Sequence, residues 1–217
     1  ARKNSRRIKG KNMILFNGKP LIYWTILTAF KSNMFNRIIL SSDWVKLNKF
    51  AKSNFKDLKI DYRPQKLSKS NITSEKVIKY LFKKYKIMKG YSVLLQPTSP
   101  TRNILHLKKM VRLLIAKKLN TLHSVSQIKN KTSINYKKNT IYNFPKKVKN
   151  KSLFLNGSIY IFRNSFFFKT FSLKEKKGNY FFHEKKFSLD LDDINDLKLF
   201  RAKYYFNNKK KLIVNKK

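Results

Sequence analysis

The first stretch of the chain that could do chemistry is the polar opening segment, which gathers Arg2, Ser5, Arg6, Arg7, Gly10, Lys11 and Asn12. Cationic side chains and backbone N–H groups on one turn suit a triphosphate. The Gly-Lys-Ser/Thr ending of a Walker loop is lacking, and a plain solvated turn has the same composition. Near the other end, Asp190 and Asp192 flank Leu191. On a strand that spacing turns both carboxylates to one side, where they can share a divalent cation. Asp and Glu number only 10 in the chain, so two on one face beside Asp193 and Asp196 stand out, although capping of a following helix accounts for part of the cluster. Gln96 ends the apolar run YSVLLQ. Its amide offers donor and acceptor together, as a pyrimidine edge requires; a capping amide has the same signature.

These residues need a scaffold, and the periodicity supplies one. Leu21, Trp24, Ile26, Leu27 and Phe30 recur at helical spacing behind Pro20. Arg37 to Ser41 reads as a buried strand, with Asp43 as the cap of a helix reaching about Asn54. A strand over Leu58–Tyr62 and an amphipathic helix over Ser74–Lys86, capped by Ser74, come next. Tyr91–Gln96 is a strand stopped by Pro97-Thr98-Ser99-Pro100. A helix from Ile104 to about Lys118, strands over Thr121–Gln127, Ser158–Phe162 and Phe187–Leu191, and a closing helix from Asp193 to about Tyr205 complete the series. The repeated βαβ succession predicts an α/β, Rossmann-like domain: a mainly parallel sheet flanked by helices, with a small β-rich excursion at about 129–155. One domain spanning 1–217 is expected, with no internal repeat and no linker. In such sheets ligands bind outside the carboxyl ends of the strands, where the polar residues above fall.

The chain has 217 residues, of which 41% are hydrophobic, enough for one well-packed domain. Lys and Arg total 52, giving a formal charge of +42 and making nucleic acid the first partner to test. The lysines are spread along the whole chain, the aromatics fall at core-like spacing, and no RNA or DNA motif occurs, so no specific nucleic acid is expected. Cysteine is absent, excluding disulfides and thiolate metal sites. His106, His123 and His183 lack metal-ligand spacing, and Trp24 and Trp44 read as packing residues. No apolar run approaches the ~20 residues of a membrane span, and no signal peptide follows the basic start, so a soluble cytoplasmic protein with no membrane contact is expected. An α/β domain would normally place a buried strand ahead of the polar segment, and such a strand is expected before Ala1.

The segments ARKNSRRIKGKN, NGKPLI, NRIILSSD, RPQKLS, LLQPTSPTR, NGSIYIF and SLDLDDINDL stand in the order found in the acylneuraminate cytidylyltransferase family, which the chain resembles over nearly its whole length. The resemblance implies a Rossmann-like fold, CTP and an acidic nine-carbon sugar as substrates, Mg²⁺ as cofactor and a homodimer formed through the excursion. It implies that Arg2, Ser5, Lys11 and Asn12 hold CTP, that Ser74 and Gln96 contact the nucleoside, and that Asp190 and Asp192 bind the metal. The sugar is expected against Gln96, Thr98, Ser99, Arg102, Lys146 and Asn156. Arg2, Lys11, Asp190 and Asp192 form the expected catalytic set. Two departures bear on the sugar: Ser70 stands near the family's Asp after RPxxLS, and Lys146, Lys147, Lys151 and Phe154 stand where the family carries Arg and Gln. A lysine meets a carboxylate as a point charge, without the guanidinium fork. A 3-deoxy-manno-octulosonate cytidylyltransferase or a hexose-phosphate nucleotidyltransferase would use the same fold. So would a homologue that folds without catalysing. A basic nucleic-acid-binding protein is the alternative outside that class.

Overall fold

The computed structural model describes residues 1–4, 8–127, 133–134, 139–143, 153–187, 190–191, 193–199 and 202. Leu15–Phe16 (β1) and Lys19–Pro20 (β2) pair as a hairpin across Asn17 and Gly18. Both turn residues have positive φ, 48° and 72°, as a tight primed turn requires. Pro20 then leads into helix α1 (Leu21–Ser32), whose buried face runs through Ile22, Thr25, Ile26 and Ala29; of the residues that the sequence periodicity marks, Leu21 and Ile26 are buried, while Trp24, Leu27 and Phe30 are only half-buried.

Ile39–Ser42 (β3), helix α2 (Val45–Asn54) and Lys59–Tyr62 (β4) make a parallel βαβ unit. Asp43 does not cap α2: its Oδ1 accepts from the Lys3 backbone N–H at 2.9 Å, while Ser42 Oγ accepts from Trp44 N–H. Asp61 in β4 is fully buried. It accepts from Ser41 Oγ at 2.6 Å and pairs with Lys84 at 2.7 Å. Burial pushes its carboxyl up, but the Lys84 and Ser41 hydrogen bonds outweigh this and hold it below the usual range. Helix α3 (Ser74–Lys84) starts one residue after its cap. Thr73 Oγ1, not Ser74, accepts from Lys76 N–H, which corrects the expected cap.

Tyr91–Leu95 (β5), helix α4 (Ile104–Ala116) and Thr121–Ser126 (β6) follow much as the periodicity indicates, with Asn103 capping α4 through Leu105 N–H at 2.7 Å. Short strands Ser133–Ile134 (β7) and Thr140–Tyr142 (β8) fall in the expected excursion, much of which lies outside the described residues. Leu153–Arg163 (β9) is longer than its apolar core suggested and runs into helix α5 (Asn164–Thr170). Asn179–Phe182 (β10) is a strand that pattern reading missed. The strand expected over Phe187–Leu191 is corrected: Lys185–Phe187 is a 3₁₀ turn, Asp190 and Leu191 lie outside any strand, and the two residues between are outside the described ones. Residues 194–199 are helical.

Among the described residues the larger sheet has the order β5-β9-β6-β10-β8, with β7 on the first residues of β9. β10 is parallel to both β6 and β8, whereas β9 runs antiparallel to both β5 and β6. The α/β, Rossmann-like architecture stands, with β9 making the sheet mixed. Its core joins Leu107, Met110 and Leu114 of α4 to Leu122 of β6 and Ile159 and Ile161 of β9. Each such side chain contributes about 1.5–3 kcal/mol by leaving water, and together they fix the sheet ends that carry the polar residues below. No helix among the described residues is long and apolar enough to cross a membrane.

Candidate active site at the strand ends

Gln96, directly after β5, and Asp190 meet across β9. The link is Gly157, which has φ +71° inside β9 beside a shift in the β6–β9 register. A Cβ there would lie 2.9 Å from Gln96 Oε1 and 3.4 Å from Asp190 Oδ2. Glycine is thus required twice, for the backbone and for the space between an amide and a carboxylate. Next to it, Asn156 Oδ1 accepts from Ser124 Oγ at 2.6 Å and from Ser158 N–H at 3.1 Å. Its Nδ2 is buried without a hydrogen-bond partner, as are the hydroxyls of Ser99, Ser126 and Ser158. Buried polar atoms are normally satisfied, so such a group at one sheet end suits a polyhydroxylated ligand.

Arg102 lies beneath this end of the sheet, only 5% exposed. Its Nε donates to Ser158 O at 2.9 Å, Nη2 to Gln96 O at 2.7 Å and Nη1 to Thr25 Oγ1 at 3.3 Å. One guanidinium thereby ties β5, β9 and α1 together, a use of its planar fork that lysine could not reproduce. Burial pulls its pKa down to about 9, with Asp190 acting in the opposite direction. With these three donors bonded inside the protein, Arg102 holds the backbone that carries Gln96 and Ser158 in place.

The opening loop closes the site from the other side. Lys11 Nζ donates to Leu191 O, and Leu191 N–H donates to Thr98 O at 2.9 Å, so Lys11, residues 190–191 and the loop after β5 are joined. Asn12 is buried and donates to Arg2 O at 3.0 Å, while Arg2 Nη1 reaches Lys69 O at 3.0 Å. Gly10 has φ +66°, and a Cβ on it would come 3.3 Å from the Trp44 ring. Ser74 opens α3. Burial first, then the charges of Asp190 and of Glu75 beside Ser74, push the Tyr160 hydroxyl up to about 12, so the first turn of α3 and Asp190 act on the same phenol.

The structure thus brings together Lys11, Gln96, Thr98, Asn156 and Asp190, with Arg2 and Asn12 on the adjoining loop. Ser5, Lys146 and Asp192 lie outside the described residues. Gly157, Ser158, Ser126 and Tyr160 join the site without having been singled out in the sequence; the signal was an Asn-Gly-Ser triplet inside an apolar run. The histidines, scattered in sequence, are not all apart in space: the His106 and His183 rings meet tilted by 42°, with centroids 4.6 Å apart. Burial pulls His183 down to about 3, helped by His106 and Arg102, which keeps it uncharged near neutrality.

No group of three or more His, Asp or Glu side chains placed for a metal occurs among the described residues. The oxygen donors present, Asp190 with Gln96 Oε1 nearby, still fit a hard cation such as Mg²⁺, which keeps several waters and is held by one or two carboxylates plus substrate phosphates.

The cytidylyltransferase family model matches residues 1–215. The chain belongs to the cytidylyltransferase family. The chain is 27% identical over 209 residues to the N-acylneuraminate cytidylyltransferase of Escherichia coli O18:K1:H7, covering 92% of this chain and 49% of that protein. It is 54% identical over 43 residues to the pseudaminic acid cytidylyltransferase of Campylobacter jejuni serotype O:23/36, covering 20% of this chain and 18% of that one. It spans about half the length of the first of these curated relatives. Among solved structures, CMP:2-keto-3-deoxy-manno-octonic acid synthetase complexed with CTP superposes with a TM-score of 0.71 at 14% identity, over 95% of this chain and 96% of that one. At that identity the likeness bears on the fold.

Gly157→Ala is expected to cost about 1–2 kcal/mol, because the left-handed backbone and the crowding at Gln96 both oppose a methyl group. It is also expected to weaken CTP binding by displacing the Gln96 amide. A denaturation midpoint and a CTP titration check the two effects; a variant matching the parent in both would remove Gly157 from the site.

Proposed function

We propose that this domain transfers CMP from CTP to the anomeric hydroxyl of a nonulosonic acid, releasing pyrophosphate. The observation that carries the reading is the meeting of Gln96, Gly157 and Asp190 where the end of β5 lies beside the interior of β9, with Lys11 bound to the segment that bears Asp190. Family membership and the sialic- and pseudaminic-type relatives support it.

In this reading Gln96 presents its amide to the cytosine edge, and Ser74 at the start of α3 contacts the nucleoside. Arg2 and Lys11 meet the triphosphate, with Asn12 holding Arg2 in place and Ser5 on the same loop. Asp190 and Asp192 hold Mg²⁺, which when bound neutralises charge on the phosphate oxygens. The sugar's anomeric oxygen attacks the α-phosphorus in line. A new P–O bond forms as the bond to the bridging oxygen of pyrophosphate breaks, and the hydroxyl proton passes to solvent. Lys11 and Arg2 counter charge on the departing pyrophosphate. The Nδ2 group of Asn156 and the Ser99 hydroxyl, both without a hydrogen-bond partner, face the sugar along with Thr98, and Lys146 supplies a cation for its carboxylate. Both substrates are anions, and a chain of net charge +42 draws them in by its overall field. A homodimer in the cytoplasm, formed through the excursion, is part of the same proposal.

The test is pyrophosphate release from CTP and Mg²⁺ across N-acetylneuraminic, legionaminic and pseudaminic acids, with 3-deoxy-manno-octulosonate as a contrast. Release with a nine-carbon acid and with CTP alone among nucleotides is expected. Release confined to the eight-carbon acid, or none with any sugar from folded protein, overturns the reading.

A further inference from the structure

The segment that carries Asp190 leaves β10 through His183 and the 3₁₀ turn Lys185–Phe187. Aromatic rings hold this exit to helix α4. The His106 ring, in the first turn of α4, meets His183 with centroids 4.6 Å apart, Phe187 edge to face at 5.2 Å and Phe181 at 5.6 Å. Phe181 and His183 also meet edge to face, at 5.6 Å. Rings at such separations attract beyond the area they bury. The backbone under His106 is fixed as well, because its N–H donates to the capping Asn103 Oδ1 at 3.3 Å. On the strand side, His183 N–H donates to Val125 O at 2.7 Å, which continues the β10–β6 ladder.

Chain length turns these contacts into a constraint on the carboxylate. Asp190 follows Phe187 by three residues, a stretch of about 11 Å at most. On its other side Leu191 is buried, and its N–H donates to Thr98 O at 2.9 Å. Thr98 and His106 belong to one stretch, the loop after β5 and the start of α4, and Arg102 of the same stretch holds the Gln96 carbonyl. The amide and the carboxylate that meet across Gly157 are therefore both located from the β5–α4 connection.

We propose that His106 is a positioning residue for Asp190: by gripping His183 and Phe187, its ring fastens the exit of β10 to α4 and so fixes where the carboxylate stands beside Gly157. What that position serves rests on the metal reading of Asp190 given above; the fastening itself does not. An uncharged ring is part of the arrangement. His183 is fully buried with neither ring nitrogen hydrogen-bonded, and His106 Nδ1 is buried without a partner as well. A proton on His106 would thus set a cation among apolar rings. The charged groups around the pair are Arg102 ahead of α4, Lys109 on it, and Glu184 and Lys186 after β10, three cations to one anion. Burial first, then Lys109, pulls the His106 pKa below its ordinary value, with Glu184 opposing. A histidine lowered on folding stabilises while it is neutral, so the fastening holds above the ordinary histidine range and weakens as the pH falls below it. His183, pulled down to about 3, stays neutral through that range and leaves His106 as the ring that titrates.

The test compares His106→Ala, which removes the ring, with His106→Phe, which keeps a ring and cannot titrate. Amide exchange is read by NMR at Leu191, whose N–H is bonded to Thr98, with Leu122 in β6 as the reference. His106→Ala is expected to lower protection at Leu191 by on the order of 10-fold more than at Leu122, because the opening is local. His106→Phe is expected to match the parent at neutral pH. Between pH ~7.5 and ~5 the parent is expected to lose protection at Leu191 while His106→Phe keeps it. Mn²⁺ is also added to the protein alone and its free fraction read by electron paramagnetic resonance; His106→Ala is expected to bind it at least ~10-fold more weakly than the parent. Unchanged protection at Leu191 in His106→Ala overturns the proposal. So does a loss shared equally with Leu122, which makes the ring a stabiliser of the whole fold, and so does an equal acid loss in the parent and His106→Phe. A parent that binds no Mn²⁺ while Leu191 responds as expected removes the metal reading and upholds the fastening. Should His106→Ala fold poorly, Phe187→Ala opens the same contact from its half-buried partner and gives the same readout.

Discussion

Replacing Asp190 by Asn lowers metal-dependent turnover by on the order of 10²- to 10³-fold while leaving the sheet intact. The expectation follows from what the carboxylate does in the proposed chemistry and from its place across Gly157 from the Gln96 amide. Asn keeps the shape and removes the charge, so a preorganised contact to the metal is lost where negative charge on the phosphates must be offset. Asp190 also supplies countercharge to buried Arg102, so some loss of thermal stability accompanies the loss of rate. The decisive measurement is pyrophosphate release as a function of Mg²⁺, with circular dichroism as the control for folding. Asp192→Asn, made alongside, is expected to behave in the same way. An Asp190→Asn protein whose rate at limiting Mg²⁺ equals the parent's would remove Asp190 from the metal site.

The largest expected effect on stability belongs to Arg102. Arg102→Met withdraws donors from Ser158 O and Gln96 O, leaving carbonyls buried at the junction of β5 and β9. A buried charged group bonded in this way costs about 3–5 kcal/mol to disrupt, a large part of a domain's ordinary 5–15 kcal/mol. Urea titration should show the midpoint fall accordingly, with the slope unchanged. Arg102→Lys should recover little, because a single ammonium cannot span both carbonyls. Any folded variant should bind CTP more weakly, since the backbone that carries Gln96 is no longer held. A midpoint shift worth less than ~0.5 kcal/mol for Arg102→Met would sink the assignment.

Much of the fold was legible because its elements are locally consistent. The apolar spacing behind Pro20, the run ending in Gln96 and the Asn103-led helix each express one period, and the structure forms them close to those bounds. β10 escaped because three apolar aromatics between lysine-rich stretches are too few to show a period; the parallel partners on either side, β6 and β8, make it a strand. β9 looked short because Asn156-Gly157 resembles a turn, whereas Gly157 uses its positive φ for an irregularity within the strand. Conversely, the alternation around Asp190 imitated a strand. Leu191 is fixed instead by a backbone bond to Thr98, a contact between distant segments that no local pattern encodes. The same holds for the site. Residue types at the strand ends were readable, but the approach of Gln96 to Asp190 depends on how β9 threads between β5 and β6.

That threading also orders events during synthesis. β9 is the neighbour of both β5 and β6 in the sheet, yet it begins at Leu153, after both have been synthesised. At about 5–20 residues per second, the nascent chain spends seconds with β5 and β6 awaiting the partner that joins them. Pairing over such sequence separations is slow because loop closure must precede any gain in contacts. The candidate site, being built on β9, is therefore among the last parts of this fold to exist.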